Sequence, residues 1–248
     1  MNEYLSGFIL GLCQGLTEFL PVSSSGHLIL LESLGVGEPD VATNLLLHLA
    51  TLLAVLIVYR KKLLFLIKNP KDIRVRMILT SSVVCAFPAM AVRYFLPQNE
   101  KWLPFCFITT SLILLLPKIF NRSVSPLDDK WIRKSVIVGL AQGVACINGI
   151  SRSGTTVTAL NLIGADAEES ADMSFLLAIP IIIASCGVEL ITDFGGFKLS
   201  GGVFVGMAVA FLVGIVAIKS FVSVIKKRKT FVFSVYTFLL GVACFFLV

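Results

Sequence analysis

The side chains of this chain that could do chemistry collect in two polar stretches of similar sequence. The first stretch, GLCQGLTEFLPVSSSG, begins at Gly11, and the second, GLAQGVACINGISRSG, begins at Gly139. Aligned without a gap, they share seven of sixteen residues at an offset of 128 positions. Because proline, glycine, asparagine and serine are typical of turns and helix starts, each stretch predicts a turn between two helices.

The two turns differ in charge, and the difference indicates what they could do together. The first carries Glu18 and His27, and the second carries Arg152. Arginine matches phosphate oxygens bidentately, helix starts present free N–H groups to anions, and histidine can act as acid or base near neutral pH. Glu18 can hold a divalent cation, a proton or a water molecule. The set therefore predicts recognition and transfer of a phosphoryl group.

The candidate anion-binding residues around these charges share a hydroxyl group or a backbone N–H group near a predicted helix start. They are Ser23, Ser24, Ser25, Gly26, Ser151, Ser153, Gly154 and Thr156. Ionisable groups inside a membrane are costly and are functional-site candidates by default. The structural alternative is a buried ion pair that only locks the two turns together. It would explain Glu18 and Arg152, but not the hydroxyl groups or His27.

The composition is that of a polytopic membrane protein. The chain has 248 residues, of which 56% are hydrophobic and 15% are charged, and its mean hydropathy is +0.92. Soluble domains are nearer half apolar and about a quarter charged. Seventeen of the twenty-one Lys and Arg residues lie in 60–76, 118–134 and 219–229, and each run is bracketed by apolar segments. This pattern is typical of cytoplasmic loops and argues against a nucleic-acid partner.

Ten apolar runs divide into two length classes. Six are long enough to cross a bilayer core, which needs roughly 17–25 residues: about 41–59, 77–96, 102–120, 172–192, 201–218 and 231–248. Four shorter runs flank the polar stretches in pairs: about 5–20, 25–34, 133–147 and 152–164. Short apolar runs are typical of buried or re-entrant segments. We therefore expect an all-α polytopic membrane protein with two re-entrant helical hairpins.

The basic loops predict a topology when they are placed on the inside. Each half of the chain then contains one hairpin and three crossings, and this odd number turns the second copy upside down. We expect a single membrane domain over 1–248 with an inverted-topology repeat of 1–120 and 131–248. Four full crossings between 134 and 219 would keep the same parity, but the apolar runs there are short. Inverted repeats are also typical of transporters, so a transporter and a lipid-binding structural protein stay open as alternatives.

Other polar and sulfur-containing residues are interpreted as structural. His48 lies within the run 41–59 and is interpreted as a helix-packing or pore-facing residue. The six cysteines all fall in apolar stretches without CxxC or Cys/His ligand spacing: Cys13, Cys85, Cys106, Cys146, Cys186 and Cys244. This distribution favours small packing residues over a disulfide framework or a metal site.

At QGLTEFLPVSSSGHL and GISRSGTT the chain resembles the undecaprenyl-diphosphate phosphatase family, also called the bacitracin-resistance family. The first stretch is similar to the family's (E/Q)xxxE segment followed by PxSSxGH, and the second is similar to its PGxSRSGxT segment. The resemblance implies hydrolysis of undecaprenyl diphosphate to undecaprenyl phosphate, which recycles the lipid carrier of peptidoglycan synthesis and confers bacitracin resistance. A polyprenyl-phosphate flippase is the alternative, because it would need the same anion site.

The resemblance also implies the surroundings of the site. The protein would be a multi-pass protein of the inner or plasma membrane, in contact with membrane lipid, with its site open to the outer face. It would use a divalent cation, Mg²⁺ or Ca²⁺, and form a homodimer. The matching positions are Gln14, Glu18, Ser23, Ser24, His27, Ser151, Arg152, Ser153 and Thr156.

The family pattern assigns roles to several of these positions. Arg152 would clamp the diphosphate, and Glu18 and Gln14 would hold the metal. Ser24 would attack the terminal phosphorus while His27 handles the proton, and direct attack by water stays open.

Two positions depart from the family pattern. Gln14 takes the first place of (E/Q)xxxE, so this chain has one carboxylate there and not two. Glutamine can coordinate through its carbonyl oxygen but cannot act as a base. Asn148 replaces the proline of PGxSRSG. Asparagine tolerates left-handed and turn conformations, so we expect the turn to survive with less rigidity.

Overall fold

The regular secondary structure of the described chain is entirely helical. The computed structural model describes residues 1–37, 41–96, 99–120, 124, 130–192, 200–226 and 230–248, and no strand lies within these ranges. The helices are α1 (Glu3–Thr17), α2 (Ser24–Ser33), α3 (Val41–Val58), α4 (Arg60–Lys68), α5 (Ile73–Phe95), α6 (Leu103–Ile119), α7 (Trp131–Val144), α8 (Arg152–Leu162), α9 (Ala167–Thr192), α10 (Gly201–Lys226) and α11 (Phe231–Leu247). Four of the predicted loop cations, Arg122, Lys227, Arg228 and Lys229, lie outside the described residues.

Several of the helices are long and apolar enough to cross a membrane. By length and composition, four stretches qualify alone: Ile73–Phe95, Glu100–Ile119, Ala167–Thr192 and Gly201–Ile225. A fifth span results if Ala42–Val58 and Arg60–Lys68, which meet at 73°, count as one broken helix. The helix α11 has 17 residues, at the lower limit of the roughly 17–25 that a crossing needs. The all-α polytopic membrane class is confirmed, and a crossing by α11 stays a prediction.

Four short helices flank the two polar stretches, as predicted. The helices α1 and α2 have 15 and 10 residues, and α7 and α8 have 14 and 11. The two members of each pair pack against each other, so each pair forms a helical hairpin with its polar stretch at the tip. All four are shorter than a bilayer crossing requires.

Close glycine contacts hold each hairpin against a long helix from the other half of the chain. The helix α1 packs on α10, and α7 packs on α5. A Cβ added at Gly11 would lie 2.3 Å from the carbonyl oxygen of Gly206, and one added at Gly139 would lie 2.6 Å from that of Ser81. Small residues allow helix backbones to approach closely in this way in membrane proteins. The contacts leave little room for either hairpin to slide.

An aromatic cluster fixes the backbone at the first tip. The Phe19 and Phe175 rings meet edge to face with centroids 5.7 Å apart, and Phe175 meets Phe221 in the same way at 5.6 Å. All three side chains are fully buried. Edge-to-face pairs are favourable beyond the area that they bury. Because Phe19 follows Glu18 directly, this cluster anchors the segment that carries the acidic side chain.

Candidate functional site

Each tip begins its second helix with the same serine cap. The Ser23 hydroxyl accepts a hydrogen bond from the backbone N–H of Gly26 at 3.3 Å, and Ser151 accepts one from Gly154 at 3.1 Å. Serine is a preferred N-cap because its oxygen satisfies an N–H group that has no partner within the helix. Ser23 has φ of +73°, a left-handed conformation that costs energy for a residue with a side chain. The first tip is therefore a strained turn that is held by its surroundings.

The two tips touch each other. The Ser153 hydroxyl donates to the carbonyl oxygen of Leu20 at 2.9 Å. A Cβ added at Gly26 would lie 2.8 Å from the Cα of Gly149, so glycine is needed there for the close approach. From α6, Thr110 accepts a hydrogen bond from the Ser151 N–H group at 3.0 Å and donates to the Gly149 carbonyl at 3.1 Å. The Ser153 bond joins the two tips, and the Thr110 bonds hold the second tip against α6.

Glu18 lies at the centre of the site. One carboxylate oxygen, Oε1, forms an ion pair with Nη2 of Arg152. The other, Oε2, accepts hydrogen bonds from the Ser24 hydroxyl at 2.6 Å and from the Gln14 amide at 3.1 Å. Glu18 is only 5% exposed, and a buried carboxylate requires partners of this kind. The Arg152 guanidinium of the second tip and the Ser24 hydroxyl of the first tip therefore both contact the Glu18 carboxylate, as their grouping in the sequence predicted.

A cavity of about 170 Å³ opens beside this ion pair. Seven of the predicted site residues line it: Glu18, Ser23, Ser24, Ser25, Ser151, Arg152 and Ser153. The helix α9 closes one side with Ile181, Ile182, Ser185 and Cys186. The second guanidinium nitrogen of Arg152, Nη1, is buried and has no hydrogen-bond partner. The cavity thus combines hydroxyl groups with a donor that has nothing to bind within the described protein.

Three other predicted residues support the tips from behind and do not contribute a free polar group to the cavity. The N–H groups of Gly26 and Gly154 are occupied by the two serine caps. The Thr156 hydroxyl bonds to the carbonyl oxygen of Arg152 at 2.9 Å and to the hydroxyl of Ser174 at 2.5 Å. Thr156 therefore ties the second tip to α9.

His27 lies outside the lining of the cavity as far as the described residues define it. Its Nδ1 lies 2.6 Å from the carbonyl oxygen of Ser23, which can only accept, so Nδ1 carries the proton. Its Nε2 lies 2.8 Å from the hydroxyl of Tyr236, and the two rings stack. Both ring nitrogens are thus engaged, and the proton-transfer role of His27 stays a prediction.

His48 is the imidazole that faces the centre of the site. It lines the cavity from α3, with Nδ1 at 3.5 Å from Oε2 of Glu18 and 3.0 Å from Nε2 of Gln14. Sequence reasoning interpreted His48 as a helix-packing or pore-facing residue. Its position as an ionisable side chain inside an apolar run was a signal, but its approach to Glu18 depends on how α3 packs against α1.

Gln14 and Glu18 are the predicted site residues that could hold a divalent cation. Gln14 is fully buried, and its carbonyl oxygen Oε1 has no hydrogen-bond partner. A buried polar atom without a partner is uncommon and asks for a ligand or an ion. No group of three His, Cys, Asp or Glu side chains gathers in the part of the chain that the structure describes. The cation therefore fits this site only if the Gln14 amide takes part.

The sequence comparisons agree with the geometry. The family model described as Bacitracin resistance protein BacA matches residues 7–243. The chain belongs to this family. It is 35% identical to an undecaprenyl-diphosphatase of Carboxydothermus hydrogenoformans, in an alignment that covers 98% of this chain and 96% of the relative. Relatives with the same name from Korarchaeum cryptofilum and Borreliella burgdorferi are 33% and 31% identical, over 97% and 99% of this chain and 98% and 99% of their own lengths.

Membership of the BacA family covers both tips and all the helices between them. The resemblance read from the two motifs is therefore confirmed. The two departures also find their places in the structure. Gln14 bonds to Glu18 within the site, and Asn148 precedes Gly149, whose φ of +92° makes the turn of the second tip.

Proposed function

We propose that this protein is an integral membrane phosphatase that hydrolyses undecaprenyl diphosphate to undecaprenyl phosphate and phosphate. The observation that carries the proposal is the contact of Glu18 with both Arg152 and the Ser24 hydroxyl beside one cavity. An anion-binding group, a nucleophile and a carboxylate are thereby placed together. The family and the names of the relatives support the same activity. Such an enzyme recycles the lipid carrier of peptidoglycan synthesis, and the recycled carrier escapes bacitracin.

Arg152 and the two helix starts bind the diphosphate. The unpartnered Nη1 of Arg152 can donate to a phosphate oxygen while Nη2 keeps its pair with Glu18. The first N–H groups of α2 and α8 point out of their helices toward the tips, as helix N-termini do. Positioning and stabilisation of negative charge account for most of the catalysis of phosphoryl transfer, and these groups supply both.

Ser24 is the proposed nucleophile. Its hydroxyl already donates to Oε2 of Glu18, so the carboxylate can accept the proton as the Ser24 oxygen attacks the terminal phosphorus. The bond from that phosphorus to the bridging oxygen breaks, and undecaprenyl phosphate leaves. Water then hydrolyses the phosphoserine, which releases phosphate and restores the Ser24 hydroxyl. Direct attack by a water molecule held at the same carboxylate is the alternative.

Glu18 and Gln14 are the proposed holders of a divalent cation. The buried Oε1 of Gln14 and the acidic Glu18 are oxygen donors of the type that Mg²⁺ and Ca²⁺ take. When bound, such an ion offsets the negative charge that a diphosphate brings and polarises its phosphoryl oxygens. Arg152 alone cannot balance this charge, because Glu18 already neutralises it.

The cavity sets how the lipid is bound. Its volume of about 170 Å³ is smaller than the roughly 300–1,000 Å³ of sites that enclose a drug-sized ligand, so it takes the headgroup and leaves the isoprenoid chain among the helices. Ile181 and Ile182 form an apolar wall at which that chain can begin. We propose that the site opens to the outer face of the inner or plasma membrane. A homodimer stays a prediction from the family.

The test is phosphate release from undecaprenyl diphosphate by purified protein in detergent, with Mg²⁺ or Ca²⁺ and with a chelator. We expect release that the chelator abolishes. Arg152→Ala and Glu18→Gln should each lower kcat by at least about 100-fold, as the loss of one preorganised charge-stabilising group does. The matched control is Arg93→Ala, which removes an exposed arginine outside the cavity and should leave the rate unchanged.

The same assay separates the enzyme from a transporter. A flippase would use Arg152 and the helix starts but has no need of a serine on a carboxylate, and the relatives compared above are all named as phosphatases. Well-folded protein that releases no phosphate, yet moves a polyprenyl phosphate between the leaflets of liposomes, would contradict the phosphatase proposal.

A further inference from the structure

Three donor atoms of Gln14, Glu18 and His48 face one another on the side of Glu18 that Arg152 leaves free. The Gln14 amide nitrogen lies 3.1 Å from Oε2 of Glu18 and 3.0 Å from Nδ1 of His48, and these last two atoms are 3.5 Å apart. Gln14 is fully buried, and His48 lines the cavity. The three side chains come from two helices, α1 and α3. They form a compact triangle, two of whose members, Glu18 and His48, line the cavity.

The hydrogen bonds within this triangle leave one group unsatisfied. With its nitrogen turned inward, the Gln14 amide donates to Glu18 and His48, but its own Oε1 is then buried without a partner. A half-turn of the amide would bring Oε1 into the triangle and turn the amide nitrogen outward. Oε1 would then face the Glu18 carboxylate and, when the imidazole carries its proton on Nε2, the lone pair of His48 Nδ1. A divalent cation between these three ligand atoms would give Oε1 a partner that it lacks when the nitrogen is turned inward.

The spacing of the triangle fits a cation of ordinary size. Neighbouring ligands of an octahedral ion are separated by the bond length times the square root of two. Two of the edges end at the Gln14 amide nitrogen, whose place Oε1 takes after the half-turn. Edges of 3.0, 3.1 and 3.5 Å then correspond to bonds of about 2.1–2.5 Å, within the range that Mg²⁺ and Ca²⁺ span. The triangle can form one face of a coordination shell whose remaining positions open toward the cavity.

We propose that His48 is a ligand of the divalent cation, together with Glu18 and Gln14, and that its imidazole makes the site favour first-row transition ions over Ca²⁺, with Mn²⁺ as the paramagnetic probe of this preference. Hard ions such as Ca²⁺ take oxygen ligands, whereas imidazole is a ligand for transition metals. Because the first position of (E/Q)xxxE is Gln14, this segment supplies one carboxylate, and His48 would add the third ligand. The inference rests on the cation requirement of the proposed phosphatase.

The chain contains two histidines, which makes a direct spectroscopic test possible. The full-length protein is purified in detergent without a polyhistidine tag and titrated with Mn²⁺ alone, with no lipid present. Electron spin echo modulation of the bound Mn²⁺ then reports any coordinated nitrogen. We expect a histidine nitrogen signal that changes when the protein is grown with ¹⁵N-labelled histidine. The signal should vanish in His48→Gln and persist in His27→Gln.

Affinity gives the second readout. His48→Gln should weaken Mn²⁺ binding by at least about 10-fold, the scale on which loss of a group at a metal site acts, and should weaken Ca²⁺ binding much less. Absence of Mn²⁺ binding, absence of a nitrogen signal in His27→Gln, or equal losses for the two ions would overturn the proposal. His27→Gln keeps the test decisive if His48→Gln does not fold. Metal binding is read here without substrate, so a protein that coordinates Mn²⁺ through His48 but releases no phosphate would contradict the proposed activity and leave the site standing.

Discussion

At the scale of single residues, Ser24 and Ser25 are neighbours with different partners. The Ser24 hydroxyl donates to Glu18 at 2.6 Å, whereas the Ser25 hydroxyl lies 3.5 Å from that of Ser23. We predict that Ser24→Ala lowers kcat by at least about 100-fold, the lower end of what a positioned proton-transfer pair contributes. Ser25→Ala, which removes an equivalent oxygen from the same cavity wall, should cause a much smaller loss. Steady-state phosphate release measures both.

The identity of the nucleophile is a separate question with its own readout. If Ser24 attacks phosphorus, rapid acid quenching of the wild-type protein with substrate labelled in its terminal phosphate should trap label on Ser24. Retention of most of the activity in Ser24→Ala, with no trapped label, would instead favour a water molecule held by Glu18.

His27 and its neighbours in the motifs show what local sequence can and cannot predict at this scale. The motifs predicted that Glu18, Ser24 and Arg152 would be functional, and the structure brings these three together. They also assigned proton transfer to His27, whose ring nitrogens bond to Ser23 and Tyr236, and this role stays a prediction. The Tyr236 contact spans 209 positions of sequence. Contacts of this kind depend on tertiary packing, so a motif that is read within one tip does not contain them.

At the scale of helices, the close contact between α1 and α10, called the seam here, predicts that a single added methyl group will lower the stability of the fold. A Cβ at Gly11 would lie 2.3 Å from the carbonyl oxygen of Gly206. Backbone cannot move aside as a flexible side chain can, so we predict that Gly11→Ala destabilises the fold by about 1–3 kcal/mol, as overpacking does. It should also lower activity, because α1 carries the helix end at Glu18. Thermal unfolding in detergent measures the first effect.

Gly187→Ala is the matched control, because a Cβ at Gly187 in α9 meets nothing within 4 Å. Alanine is the better helix former by about 1 kcal/mol, so the melting temperature should stay the same or rise. Equal melting temperatures for the two variants would contradict a tight seam.

The helices themselves were largely predictable, and the bend between α3 and α4 was not. Apolar runs placed α3 at 41–59, and the structure has Val41–Val58. The following basic residues were interpreted as a loop, yet Arg60–Lys68 forms a helix at 73° to α3. Tyr59 donates to Asp172 at 2.8 Å, and Lys62 pairs with the same carboxylate. The bend is thus fixed by contacts with the start of α9, which periodicity within 41–68 cannot show.

At the scale of the whole molecule, helices of one half pack on helices of the other half, and these contacts come in equivalent pairs. In the first hairpin α1 packs on α10, and in the second hairpin α7 packs on α5. At the offset of 128, α1 corresponds to α7 and α5 corresponds roughly to α10. The helices α6 and α11, which also correspond, pack on each other. This pairing supports the proposed repeat of 1–120 and 131–248, and each site half then comes from one copy.

An inverted repeat makes a prediction about sidedness that equivalent residues can test. Asn2 and Lys130 are exposed, precede α1 and α7, and are separated by 128 positions. In a variant without the six native cysteines, Asn2→Cys should react with a membrane-impermeant maleimide from the outside, and Lys130→Cys should react only in inverted vesicles. Lys101→Cys and Lys71→Cys, in exposed segments on opposite sides of the predicted topology, calibrate the two faces. Reaction of Asn2→Cys and Lys130→Cys from the same face would make the repeat parallel. Both hairpins would then enter the membrane from the same face, which would contradict the proposed inverted repeat.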